Sequence, residues 1–129
     1  MRRRDTGSIT LEIVIAFPVA MLGVLLTINA ALWYHARNIA LAAAQEGVRT
    51  GRAYHANPAQ GATTAITFAR TSGRGLLLGP SADTHGSTPT TVVIHVRGQA
   101  VSLVPGLHLN IDQVARGPVE RFTTETGGR

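Results

Sequence analysis

From Ile13 to Trp33 the chain reads IVIAFPVAMLGVLLTINAALW, 21 residues without a charge. At about 1.5 Å per residue, a helix of that length spans roughly 30 Å, the hydrocarbon thickness of a bilayer. The pattern therefore predicts a transmembrane helix. Trp33 and Tyr34 suit an interfacial anchor at its far end. Pro18 and Gly23 are tolerable inside a membrane helix, although Pro18 frees a backbone carbonyl and favours a kink. Tyr34 to Tyr54 continues the helix beyond the bilayer. There Ala40, Ala43, Ala44, Gly47 and Gly51 make a ridge of small residues along which another helix can approach closely. A plain alanine-rich stalk fits the same residues. Glu46 and Arg49, at i and i+3, are placed for a surface pair.

The periodicity then changes. Asn57-Pro58 reads as a helix start, with Asn at the N-cap and Pro in the first turn. Ala62, Ala65, Ile66 and Ala69 recur at helical spacing, and Ser72-Gly73-Arg74-Gly75 ends the run. Leu76-Leu77-Leu78 reads as a short buried strand, and residues 79–90, GPSADTHGSTPT, as a loop. Thr91 to Val96 puts Val92, Ile94 and Val96 on one strand face, with a turn possible near Gly98. After Pro105-Gly106, residues Leu107, Leu109 and Ile111 alternate with His108, Asn110 and Asp112, the period of a half-buried strand. The expected fold class is α+β: a long N-terminal transmembrane helix running into a small domain with a short helix and a small antiparallel sheet. The expected divisions are 1–7, a cytoplasmic leader open to cleavage; 8–56, the transmembrane helix and its extension; and 57–129, the extracytoplasmic α+β domain.

Charge sets the orientation. Arg2, Arg3 and Arg4 precede the apolar run, opposed only by Asp5, whereas Arg37 stands alone on the far side until Arg49. The positive-inside rule places the N-terminus in the cytoplasm, so the expectation is a single-pass protein of the cell membrane with its C-terminal domain outside. Ala40-Leu41-Ala42 resembles a secretory cleavage site, but the apolar core of such signals is only about 7–15 residues, shorter than this one.

Composition removes other function classes. The net charge is +5 and the pI about 11.3, yet all 12 basic residues are Arg, scattered apart from the N-terminal three. A dispersed excess of that kind is a solvated surface, so no nucleic-acid partner is expected. With no cysteine, disulfides, thiolate catalysis and Cys-based zinc sites are excluded. His35, His55, His85, His95 and His108 share no metal-ligand spacing. Ser81, Asp83 and His85 are triad residue types within one loop, which does not supply a triad's rigid geometry. Gly73 and Gly75 lack a phosphate-loop context. The expectation is a non-enzyme with no cofactor, metal or small-molecule substrate.

One charge stands out. Glu12 sits at the front edge of the apolar run, and a carboxylate entering hydrocarbon costs about 2.5–3.5 kcal/mol on insertion scales. Its neighbours form the stretch Arg-Arg-Arg-Asp-Thr-Gly7-Ser8-Ile9-Thr10-Leu11-Glu12, which resembles a type IV prepilin N-terminus. The closer resemblance is to TadE-like proteins, pilin-like components of tight-adherence pilus systems. It rests on Gly7-Ser8, Glu12 and Pro18, and on Ala42-Ala43-Ala44-Gln45-Glu46-Gly47-Val48-Arg49, similar to an A-x-E-G-x-R core. It covers residues 4–52. Departures are Ile13, where many relatives carry Phe, and a Pro18 nearer the N-terminus than the proline of major pilins.

The resemblance implies a processing site between Gly7 and Ser8, which makes Glu12 the fifth residue of the mature chain. It further implies that Glu12 pairs with the new α-amino group of a neighbouring subunit; Ala43, Gly47 and Gly51 are the helix-packing positions that the small-residue ridge itself suggests. The implied partners are the membrane, a prepilin peptidase, other pilin-like subunits and proteins of the tight-adherence secretion platform. The implied function is that of a minor pilin-like protein, or pseudopilin, contributing to pilus assembly. The alternative is an uncleaved single-pass anchor displaying a binding domain unrelated to pili.

Overall fold

A computed structural model describes the backbone of residues 6–121 and the side chains from residue 9. Residues 1–5 of the expected leader lie outside it. Five elements follow in order: α1 (Thr6–Gly51), α2 (Pro58–Ser72), β1 (Leu77–Asp83), β2 (Thr91–Ala100) and β3 (Leu109–Pro118). The strands form one antiparallel sheet in the order β1-β2-β3. The fold is α+β.

Helix α1 has 46 residues and passes through Pro18 without interruption. Its two halves face different surroundings. From Ile9 to Ile28 the large apolar side chains are 43–66% exposed, apart from the half-buried Leu25. A helix that is apolar all round and covered by nothing is stable only in an apolar solvent. By length and hydropathy (mean 2.4 over its most apolar window) α1 is able to cross a membrane. The second half has one covered stripe: Ala36, Ala40, Ala43, Ala44, Gly47, Val48 and Gly51, spaced by three and four residues, are all buried.

Helix α2 covers that stripe. Asn57 caps it, its side chain accepting the Gln60 N–H at 2.9 Å, and Pro58 supplies the preset φ of a first turn. Gly61, Ala65 and Ala69 are its buried residues. The helices meet backbone to backbone: a Cβ built on Gly61 would lie 2.4 Å from the Gly47 carbonyl oxygen and 3.1 Å from Gly51 Cα. The small ridge thus receives a helix of its own chain.

The sheet closes the core. Val92, Ile94 and Val96 on β2, with Ile111 on β3 and Leu77 on β1, point onto the helices, while the opposite face carries Arg97, Gln99 and Asp112. Ile94 Cγ2 lies 3.2 Å from a Cβ placed on Gly47, and Val48 Cγ1 lies 2.8 Å from one placed on Gly117. The distal half of α1 and the α+β domain therefore share one core.

Several boundaries differ from expectation. β1 is longer than Leu76–Leu78 and takes in residues 79–83. Gly79 (φ +56°) and Pro80 fall where the pairing register slips between Leu78 and Ser81. A bulge on an edge strand is where Gly and Pro are admissible in a sheet. There is no turn at Gly98; β2 runs through it, because Leu77 Cδ1 occupies the space its Cβ would need, at 2.8 Å. The turn comes at Val104–Leu107, with Pro105 and Gly106 (φ +79°) at its centre, so Leu107 stays outside β3 and 39% exposed. Finally, α1 ends at Gly51, three residues before Tyr54.

The Gly61 contact is directly testable. Gly61→Ala forces the two helix backbones apart and is expected to destabilise the domain by at least about 1–3 kcal/mol. The check is thermal unfolding by circular dichroism in detergent micelles. Gly23→Ala, with nothing within 4 Å of the added methyl, is expected to leave the transition in place.

Candidate functional site

Residues expected to carry function fall in three places. Gly7 and Ser8 lie in the first turn of α1; the Ser8 side chain is outside the described part. Glu12 is exposed one turn further on, and among the described residues it makes no ion pair or hydrogen bond. It is the only carboxylate between residues 6 and 45. Ala43, Gly47 and Gly51 lie far along the same helix, buried against α2 and β2. The structure thus separates the N-terminal group from the small-residue ridge. What remains open on α1 is the apolar stretch from Ile9 to Ile28, with Glu12 near its start.

A fourth position escaped the sequence reading. Asn29 lies within the apolar run, yet it is 3% exposed, the one polar residue in the core among those described. Its Nδ2 donates to the Leu25 carbonyl at 3.2 Å. Its Oδ1 accepts the Leu103 N–H at 3.0 Å and lies 3.1 Å from Ser102 Oγ. Ser102 Oγ in turn accepts the Val104 N–H at 3.1 Å. One amide thereby ties the β2–β3 connection to the membrane-capable half of α1. The signal was available: an amide inside hydrocarbon is costly unless paired, so Asn29 in a run of 21 apolar or small residues announces a partner.

The outer face of the sheet is the other polar cluster. Arg97 bonds Asp83 and donates from Nε to Asp112 at 3.0 Å; Gln99 donates to Asn110 at 3.1 Å. The His85 backbone N–H donates to Asp83 Oδ1 at 3.0 Å, and together with the neighbouring Arg97 charge it holds the Asp83 carboxyl below its usual pKa. The hydrogen bond that Arg97 donates to Asp112 and the two carboxylate charges push the Arg97 pKa up. Ser81, Asp83 and His85 do not converge as a triad: the His85 contact with Asp83 is through its backbone. Among the described residues no three His, Asp or Glu side chains are grouped to hold a metal ion. The cluster links three strands across a solvated face and offers no enclosed chemistry.

Comparison with known proteins falls on the helix. Residues 7–49 match the family model described as TadE-like protein. The TadE-like segment opens at the Gly7–Ser8 pair and closes at Arg49, so it takes in Glu12, Asn29, Ala43 and Gly47 but none of the sheet. No curated protein and no solved structure matches the chain. The helix that carries the match is long and apolar enough to cross a membrane.

Two measurements follow. Asn29→Leu keeps the helix apolar but orphans the Leu103 N–H, a loss of about 1–3 kcal/mol of local stability. Amide exchange at Leu103 is expected to accelerate roughly tenfold to a hundredfold, with α2 amides unaffected. Asp83 gives a pH dependence. Its native pKa is depressed, so its contribution is fully present above about pH 4 and is lost as the pH falls through the native pKa. Because the pair is exposed, the contribution is under about 1 kcal/mol. Urea midpoints of the wild type and Asp83→Asn are therefore expected to differ slightly at neutral pH and to converge below about pH 4.

Proposed function

We propose that this chain is a minor pilin-like protein, a pseudopilin, that contributes to assembly of a tight-adherence pilus and has no catalytic activity of its own. Glu12 carries the proposal. It is an exposed carboxylate at the start of an apolar helix, with no partner among the described residues, and the fifth residue when Ser8 is counted as the first. The TadE-like match over residues 7–49 supports the same assignment.

In this scheme α1 crosses the membrane with the N-terminus in the cytoplasm, where the arginines hold the leader within reach of a prepilin peptidase. Cleavage after Gly7 leaves an α-amino group on Ser8. A carboxylate drawn into hydrocarbon is penalised by about 2.5–3.5 kcal/mol, and pairing with a cationic amine of a neighbouring subunit offsets that penalty. Glu12 then sets the axial register between subunits. The Ala43-Gly47-Gly51 ridge is occupied within the chain by α2, so the contact face for other pilin-like subunits is the open apolar stretch upstream. The domain is carried outside the cell, with the secretion platform in the membrane as the remaining partner.

The test is the mature N-terminus. Intact mass of membrane-extracted protein, with and without an active prepilin peptidase, is expected to show removal of residues 1–7. Retention of the leader beside an active peptidase would count against the proposal. Glu12→Gln is expected to insert normally while pilus assembly drops; an anchor unrelated to pili predicts no change in either.

A further inference from the structure

We infer that the β2–β3 connection, Val101–His108, is a second membrane contact: its apolar tip dips into the outer boundary of the lipid bilayer beside α1. The inference rests on α1 spanning the membrane, as proposed above.

Depth comes from Asn29. If hydrocarbon begins at Ile13, about 30 Å of helix brings its far boundary to Trp33. Asn29 lies four residues short of that point, about 6 Å inside. The Leu103 N–H and Ser102 Oγ are bonded to Asn29 itself, so the connection lies at the same depth. The rest of the domain follows. β2 descends toward this end, β3 ascends from it, and the Val101 N–H is bonded to the Leu76 carbonyl in the turn after α2.

The connection is built for such a place. Leu103 is 51% and Leu107 39% exposed, although the domain has buried core positions for residues of that kind. Four of its seven backbone N–H groups are bonded within the protein. Val101 N–H goes to Leu76, Leu103 N–H to Asn29, Val104 N–H to Ser102 and Leu107 N–H to Val104, while Pro105 has none to satisfy. Backbone groups paired within the protein are what a segment needs at membrane depth. Trp33, 37% exposed, stands on the adjoining turn of α1 as an interfacial residue.

Charge fits the headgroup layer just above. Arg37 on α1, Arg70 in the last turn of α2 and Arg74 in the turn beyond it belong to this end of the domain. No Asp or Glu occurs in residues 13–45, 69–76 or 98–108. A basic collar above an apolar tip matches an anionic lipid surface.

The chain has no cysteine, so a single introduced one carries a label cleanly. Leu103→Cys, bearing an environment-sensitive fluorophore, is reconstituted as the full chain in phosphatidylethanolamine–phosphatidylglycerol vesicles with brominated acyl chains. A His85→Cys label on the distal loop serves as reference, and Trp33 reports the helix. The expected result is a blue-shifted label at 103 that loses fluorescence to bromolipid along with Trp33, while the label at 85 is unaffected. Quenching of Trp33 with none at 103 overturns the inference and leaves the spanning helix standing. Quenching of neither overturns the span itself. A blue shift at 103 that requires high protein density and ignores bromolipid assigns the tip to a second copy of the chain, and also overturns the lipid contact.

Discussion

Gly47 and Gly61 touch through their backbones, and most of the domain is arranged around that contact. A helix leaving an apolar run has nothing amphipathic to offer a sheet; its covered stripe here is Ala and Gly apart from Val48, and Ala and Gly each bury little area. Stabilisation from such a stripe depends on closeness. With no side chain between them, α1 and α2 approach until carbonyl oxygen meets Cα, and dispersion between two flat surfaces replaces the interdigitation of large residues. β2 is then drawn in, since Val92 and Ile94 fill the furrow that the paired helices leave.

The same helix changes solvent part-way along, and its residues change with it. Ile, Val, Leu and Phe surround the first half on all sides; small residues line one side of the second. A surface of large aliphatics is at home in acyl chains but cannot admit a neighbouring backbone. A surface of Ala and Gly admits one but gains little from lipid. With α1 spanning the membrane as proposed, the boundary between them, close to Trp33, is where the protein exchanges one solvent for another. The domain is small, with a core of Ala, Val and few larger residues, and a continuous helix shared with the anchor gives it a rigid wall it could not build alone.

Much of this was legible beforehand, for physical reasons that differ by element. α1 showed itself by an uninterrupted apolar run, and α2 by its Asn-Pro start and Ala spacing, because helix signals are local. β2 showed itself through Val92, Ile94 and Val96. β1 was read as a strand only over Leu76–Leu78, and its remainder as a loop, because Gly79 and Pro80 are turn residues everywhere except at an edge bulge, and whether a strand is an edge depends on pairing that the local sequence does not state. Gly98 suggested a turn, yet the space it vacates is taken by Leu77, some 20 residues away. The small ridge was recognised, but its occupant was not: composition says that a helix can come close, and topology decides whose helix it is. Glu12 was prominent as a charge, whereas Asn29, uncharged within a long apolar segment, was not singled out.

Glu12 and Asn29 pose the same physical problem and receive opposite answers. Both are strongly polar groups on an apolar helix, 17 residues apart, and both are costly without a partner. Asn29 is answered within the chain, by a connection that crosses more than 70 residues of sequence to deliver one N–H and one hydroxyl. Glu12 has no such answer among the described residues, and the domain is far from its end of the helix. A fold able to satisfy one amide so fully, while leaving a carboxylate bare, has one end of its helix completed and the other unfinished. Under the proposed function the missing half of that second interaction comes with the next subunit. The helix end without a fold around it is then the one that assembly completes.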